Sequence, residues 1–299
     1  MIRVVIIGSG NIGTDLGERL LQSPDFQLVA LIGRRTDSPG IKRFVNRVEW
    51  LGEQGLQNEL ARLDGVDGFF DASSAKDHVN HWELLKLMNK WVIDLTPSRV
   101  GKPIVPTLVG KLNSMKLSES DHANYSMVTC GGQSSGPIIY SLIQCFSEVI
   151  AVEVSSSIAS KSAGPATRRN IDEYISSTED LIKEVSGCKQ AKAILVLNPS
   201  TPPVHMRTTV TIQGSGIDLE NAKLKVREEE LLLKSYIPGF DIITEPFLLN
   251  ESTLTMTVSV KGSGYFLPPF AGNLDIINSA AVETARLHVA NLMSVSQRG

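Results

Sequence analysis

The sequence predicts an α/β protein: a doubly wound parallel sheet in the first part of the chain, then an α+β unit with a largely antiparallel sheet. Three observations predict it. Residues 2–7, Ile-Arg-Val-Val-Ile-Ile, are a short, β-branched and almost wholly apolar run, the pattern of a strand buried on both faces. Strand and helix patterns then alternate, as βαβ units require. After residue 148 strand-like segments follow one another with few intervening helices, which is the mark of antiparallel pairing.

Taken in order, strand 2–7 meets glycines, and a helical pattern runs from Asn11 to Leu21 with Ile12, Leu16, Leu20 and Leu21 on one side. Residues 27–32 read as the second strand. Gly65–Ala72 reads as a strand, Ala75–Asn89 as a helix and Trp91–Leu95 as a strand. Pro97–Pro106, with three prolines beside Arg99 and Lys102, reads as a surface loop. Met127–Thr129 closes a short strand, and Gly131 and Gly132 open a helix from about Gln133 to Phe146. Beyond it, Val149–Ala159, Ala193–Leu197, Val204–Gln213, Phe240–Leu249 and Thr253–Lys261 read as strands or apolar runs. Asn170–Glu184, Leu219–Ser235 and 272–293 read as helices.

Composition bounds the function. The 299 residues suffice for two joined domains, and 42% hydrophobic with 20% charged residues is globular rather than disordered. A net charge of −3 argues against a nucleic-acid partner, which wants a basic face. No apolar run reaches the length of a membrane span, and the start of the chain has no signal-peptide pattern, so the expected location is the cytoplasm. The three cysteines, Cys130, Cys145 and Cys188, are too few and too odd for a disulfide framework and fit a reducing compartment.

Gly8-Ser9-Gly10-Asn11-Ile12-Gly13 matches G-x-G-x-x-G directly between a strand and a helix. The first glycine permits the turn, the second lets backbone approach a pyrophosphate, and the third lets helix pack on strand. The helix start then offers N–H groups and partial positive charge to phosphates. This predicts a Rossmann-type dinucleotide-binding domain. The second strand ends in Gly33-Arg34-Arg35-Thr36, where an NAD site would carry a carboxylate for the ribose. Arginines pair with a 2′-phosphate, so NADP is favoured over NAD. The competing reading makes Arg34 and Arg35 solvated loop charges, with Asp37 able to approach the ribose.

Cys130 lies in Val128-Thr129-Cys130-Gly131-Gly132-Gln133, where a strand ends and a helix begins. A thiolate there is stabilised by the helix dipole and free N–H groups, which predicts a lowered pKa. The same N–H groups suit an oxyanion, and a thiolate is a good nucleophile and leaving group. Cys145, among Leu142, Ile143 and Phe146, reads as core.

The loop Gly8–Gly13 with Thr14-Asp15-Leu16, then Asp94-Leu95-Thr96-Pro97 and Met127–Gln133, resemble the acylating acetaldehyde dehydrogenases. So do Ser157–Pro165 with Thr167-Arg168, Asn170–Glu173, Asn198-Pro199, Pro202-Pro203 and Ala271–Ile276. The blocks keep the family's order and span nearly the whole chain. The resemblance implies a dinucleotide-binding domain of residues 1–130 plus 271–299 and a catalytic and dimerisation domain of residues 131–270. It implies that Cys130 attacks an aldehyde, that hydride passes to NAD or NADP, and that coenzyme A releases the acyl group. It places Ser9–Ile12, Asn273 and Ser160, Lys161, Ser162, Ala163, Gly164, Pro165, Ala166, Thr167 and Arg168 at the cofactor, and Asn170 near the reacting carbonyl. It also implies a homodimer and, in many members, a 4-hydroxy-2-oxoacid aldolase partner. The chain departs from the family at Arg34-Arg35 and at Thr208, which stands where the family has an aspartate after Met-Arg. Threonine does not titrate near neutrality, so proton handling must differ.

Other features compete for attention. His78 and His81 with Asp77 could form half a metal site, but no second ligand cluster accompanies them. Lys161, Arg168 and Arg169 could meet a phosphate or carboxylate, or simply open a helix. Arg227–Glu230 reads as a solvated helix face, and Tyr265–Phe270 as a pocket lining or oligomer contact. Two further functions remain open: reduction of an acyl phosphate, as in semialdehyde dehydrogenases, and a non-catalytic cofactor-binding partner of an aldolase.

Overall fold

A computed structural model describes residues 1–297; Arg298 and Gly299, at the end of the expected C-terminal segment, lie outside the described residues. The first sheet contains β1 (Ile2–Ile7), β2 (Phe26–Ile32), β3 (Trp50–Gly52), β4 (Gly68–Asp71), β5 (Trp91–Asp94), β6 (Lys102–Ile104) and β7 (Asn124–Met127). Its order is β3-β2-β1-β4-β5-β7-β6, and every pairing is parallel. The apolar run of β1 is explained by its position at the centre. Val4 and Ile6 pack in one core with Leu16 and Leu20, while Val5 and Ile7 pack in another with Leu56, Leu63 and Leu85. Each such side chain contributes about 1.5–3 kcal/mol by leaving water.

Helix α1 (Asn11–Leu21) follows β1, and α2 (Pro39–Phe44) follows β2. α3 (Ala75–Leu85) is capped by Ser74, whose hydroxyl accepts the Asp77 N–H. α4 (Cys130–Ile143) leads into the second sheet. That sheet holds β8 (Glu148–Ala159), β9 (Gln190–Asn198), β10 (Met206–Ser215), β11 (Phe240–Asn250) and β12 (Thr253–Val260), in the order β11-β12-β10-β8-β9. Only β8–β9 is parallel, because the crossover α5 (Pro165–Arg169) and α6 (Ile171–Ser186) joins them. α4, α6 and α7 (Leu219–Lys234) pack on one face of this sheet. α8 (Gly272–Ser296) returns to the first sheet, where Asp275 and Ser279 accept from the buried Arg19 guanidinium at 2.7 and 2.9 Å. One apolar core runs through both sheets, from Val4 to Val260 and on to Ala285.

Several boundaries differ from the sequence reading. The proline-rich segment 97–106 is not all loop. It contains β6, an edge strand that tolerates Pro103 because its outer side needs no ladder donor. β7 ends at Met127, so Val128 and Thr129 are not strand, and Thr129 caps α4 by accepting the Gly132 N–H at 2.9 Å. The helix therefore begins at Cys130 itself rather than near Gln133. α2 and β3 carry too short a pattern to stand out in the sequence.

Candidate active site

The strand order reverses between β1 and β4, and a cavity of about 490 Å³ opens at their carboxyl ends. Gly8, Ser9, Gly10, Gly33, Arg34, Arg35, Ser38, Ala72, Ser73 and His81 are among its walls. Gly8 has φ +111°, and a Cβ there would lie 2.5 Å from the Ala72 carbonyl oxygen. A Cβ on Gly13 would lie 2.0 Å from the Gly8 carbonyl oxygen, whereas one on Gly10 would meet nothing within 4 Å. Gly10 provides no side-chain cap to α1, so the first-turn N–H groups keep their capacity for an anion. A floor forms below the loop, where the Ser38 hydroxyl donates to Ser9 Oγ at 2.8 Å and also caps α2. Asn11 and Gly13 belong to the turn but not to the cavity wall. Arg34 and Arg35 line its rim, held by Asp77 at 3.2 Å and Asp37 at 2.7 Å.

Beside this wall sits a charge cluster of which the sequence offered only His78 and His81, grouped with Asp77. Asp71 and Asp94 end β4 and β5 side by side, both fully buried. His78 bridges them, with Nδ1 2.9 Å from Asp71 and Nε2 3.5 Å from Asp94. His81 Nδ1 lies 2.8 Å from the same Asp71 oxygen. Burial acts to raise Asp71, but the hydrogen bonds from His78 and His81 overcome it and hold the carboxyl far below its ordinary range. Burial likewise acts to lower His78, and Asp71 and Asp94 overcome it, so its value is raised. Asp94 is raised, chiefly by burial.

A second cavity, of about 390 Å³, contains Cys130 in its wall together with Ile12, Thr167, Asn170, Tyr174 and Asn273. Four elements meet here: α4 brings Cys130, the start of α6 brings Asn170 and Tyr174, α8 brings Asn273 and α1 brings Ile12. Asn273 is buried, and its Oδ1 has no hydrogen-bond partner among the described residues, so a carbonyl oxygen is left for an N–H donor. At the mouth, Arg99 pairs with Asp180 at 2.7 Å and Glu173 at 3.6 Å, one cation against two carboxylates. Among the described side chains of the expected segment Ser160–Arg168, only Thr167 reaches either cavity. Arg168 instead donates to the carbonyl oxygens of Ser160 and Ala163 and to Ser160 Oγ, and Ser162 donates to Ala159. Lys161, Ala163 and Gly164 line neither cavity. The side chains of Pro165 and Ala166 lie outside the described residues.

The thiol corrects an expectation. Burial pushes Cys130 up to about 11, against the opposing effect of the nearby Tyr174 hydroxyl and of the Gly131 and Cys130 N–H groups. In the resting chain desolvation outweighs the helix start, so the thiol is protonated. Tyr174 was not singled out in the sequence. Its available signal was spacing, since Asn170 and Tyr174 are i and i+4 at one helix end and so share a face. Behind Cys130, buried Thr208 bonds Ser134 at 2.9 Å and Ser156 at 3.3 Å. Cys145 and Cys188 are buried.

Comparison with known proteins places this geometry in context. The family model described as prokaryotic acetaldehyde dehydrogenase, dimerisation, matches residues 130–268. A Pectobacterium atrosepticum protein named acetaldehyde dehydrogenase is 42% identical over 286 residues, covering 96% of this chain and 95% of that protein. Its namesake from Spirochaeta aurantia is 41% identical over 286 residues, covering 95% of this chain and 93% of that protein. The Geobacillus stearothermophilus protein of that name is 41% identical over 287 residues, covering 95% of each. Among the described residues no helix is long and apolar enough to cross a membrane. With a parallel dinucleotide-type sheet, a second mixed sheet and relatives matched along nearly their whole length, the chain belongs to the acetaldehyde dehydrogenase family.

Proposed function

We propose that the chain is a nicotinamide-dependent acylating dehydrogenase that interconverts a small aldehyde and its coenzyme A thioester through an acyl thioester on Cys130. The observation that carries this reading is the position of Cys130, first residue of α4, in a cavity walled also by Ile12 of the dinucleotide loop and by Asn273. Residues 1–130 with the segment from 271 onward serve the cofactor, and residues 131–270 serve catalysis and self-association. The family segment named for dimerisation, 130–268, supports a homodimer.

The cradle fits a dinucleotide: Gly10 leaves open space where any other side chain would stand, and Asn273 Oδ1 awaits a donor such as a carboxamide. Gly8, Ser9 and Gly10 would hold the pyrophosphate, Arg34 and Arg35 would meet the ribose, and Asn273 would take the nicotinamide end. When bound, the nicotinamide supplies the two-electron oxidant or reductant. The arginines favour NADP, because β2 runs into Gly33-Arg34-Arg35 without a carboxylate for the ribose hydroxyls, while Asp37 is occupied by Arg35.

The protein's own work centres on sulfur. Cys130 Sγ adds to the aldehyde carbonyl carbon and gives a thiohemiacetal, whose oxygen lies near Asn170 and the first N–H groups of α4. Once this carbon is at the acyl level, the thiol of coenzyme A attacks it. The new sulfur–carbon bond forms, the Cys130 Sγ–carbon bond breaks, and the coenzyme's thiol proton returns to Cys130. The apolar wall, with Leu95, Ile158, Leu195 and Ile277, suits a short acyl chain and keeps water scarce.

The test is reduction of acetyl-CoA and longer acyl-CoAs by NADPH and by NADH, followed by nicotinamide absorbance. Turnover with release of free thiol, abolished in Cys130→Ser, is the expected result. Release of phosphate from acyl phosphates without acyl-CoA turnover would replace the reading. A lower KM for NADH than for NADPH would overturn the cofactor preference alone.

A further inference from the structure

We propose that Tyr174 is a further catalytic residue, whose hydroxyl is held against the Cys130 sulfur to donate a hydrogen bond to the thiolate form. This rests on the reading of Cys130 as the nucleophile. The placement is specific. A Cβ on Gly131 would lie 2.2 Å from Tyr174 Oη and 2.8 Å from Ser156 Oγ, so the hydroxyl reaches the start of α4 only because that position is glycine. The oxygen is shielded from solvent and has no well-aligned hydrogen-bond partner among the described residues. The groups beside it are the Cys130 thiol, the Ser156 hydroxyl and the Gly131 backbone. A buried phenol left short of a partner beside a reactive sulfur is a donor waiting for an acceptor, and the thiol becomes a strong acceptor when it loses its proton.

The hydroxyls behind Tyr174 supply no base. Behind Tyr174 the hydroxyls of Ser156, Thr208 and Ser134 follow in succession at 3.3 and 2.9 Å, and Ser134 donates to the Gly131 carbonyl at 3.0 Å. The chain ends on a backbone carbonyl, so it orients Tyr174 and accepts no proton. Thr208, at the family's aspartate position, is a neutral link in it. Of the charged groups lining the cavity, Arg99 pairs with Asp180 and Glu173, and Glu184 accepts from the Ser114 hydroxyl. Burial raises Tyr174 well above 10, so the phenol keeps its proton and serves as a donor throughout. In acyl transfer from a thioester, the Cys130 proton ends on the departing thiol, and the Tyr174 proton stays on its oxygen.

The test is the pH dependence of Cys130 alkylation by iodoacetamide in the full chain, read site by site by mass spectrometry, with buried Cys145 and Cys188 as internal references. In Tyr174→Phe the midpoint should rise by about one pH unit, a tenfold loss of thiolate. Its kcat should fall about tenfold or more, with KM for the nicotinamide cofactor within about twofold and the melting temperature near wild type. Ser156→Ala, which loosens the orientation without touching sulfur, should give a smaller shift in the same direction. Superimposable alkylation profiles for wild type and Tyr174→Phe overturn the proposal. Because alkylation needs no turnover, a shifted profile in a chain inactive toward every acyl-CoA would sink the reading of function and leave Tyr174 supported.

Discussion

His78 holds two carboxylates apart from solvent and together with each other. Below its ordinary value of 6.5 the ring is charged in both folded and unfolded chains, and its stabilisation is complete. Because its folded value is raised, that contribution is lost as pH climbs through the folded value, leaving Asp71 and Asp94 facing a neutral ring. His78→Gln should cost about 3–5 kcal/mol near neutrality, since removing one partner strands buried charge. It should also flatten the alkaline decline of stability. Urea melts between pH 6 and 9 check both, and parallel declines in the two chains would refute the linkage. Sequence reading reached this site only as a pair of histidines with helical spacing. Their partners lie at the ends of two strands, and register between strands is not written locally. The same reason separates Cys130 from Tyr174. A cysteine between strand and glycines is a local pattern, whereas a tyrosine on another helix becomes its neighbour only through the fold. The thiol's raised value was illegible too, because desolvation belongs to the assembled cavity.

At the scale of elements, the segment Tyr265–Phe270 turns out to strap the second sheet to α1. Asp15, buried on α1, accepts the Phe266 and Leu267 N–H groups at 3.0 and 2.9 Å and Asn278 Nδ2 at 2.9 Å. The Arg19 guanidinium covers the Tyr265 ring at 4.7 Å, and that of Arg43 covers Phe266 at 5.1 Å. Asp15→Ala strands three donors at once and should cost about 3 kcal/mol or more, measured by denaturant midpoint. A loss within about 0.5 kcal/mol would mean that water or a shifted strap replaces the carboxylate. The helices and long strands were legible because their apolar period extends over many residues. β6 was hidden by its prolines and α2 by its brevity. α7 was misjudged as solvated at Arg227–Glu230: Glu229 and Glu230 are buried, and Glu230 accepts the Ile242 N–H and pairs with Lys234 at 3.0 Å. Charged residues read as exterior unless their partners are known, and here the partners come from a neighbouring strand and from the next turn.

For the whole molecule, the second sheet has a covered face and an open one. Thr208, Val210 and Ile212 are buried on the helix side, while Thr209, Thr211, Thr257 and Ser259 alternate to the other. Cross-strand hydroxyl pairs, Thr209–Thr257 at 2.9 Å and Thr211–Thr255 at 3.0 Å, make that face flat and short-chained. The homodimer proposed above would use this face, which lies within the segment named for dimerisation. Thr211→Arg places an unpaired charge on each side of a two-fold contact and should weaken association about a hundredfold, seen as a monomer by light scattering at micromolar concentration. A persistent dimer would move the contact elsewhere. The order of parallel and antiparallel halves was legible, because it follows from which strands are joined by helices. The continuity of the core between them was not.

That continuity has a consequence for how the chain is made. All strands of the first sheet have been synthesised by Met127, yet the helix that lies against α1, β5 and β7 begins only at Gly272. A nascent chain must therefore carry Trp91, Tyr125 and the rest of that face incompletely covered while the entire second sheet is being built. The first sheet is thus the first half to be written and the last to be closed, and in the interval its uncovered apolar face is open to non-native association.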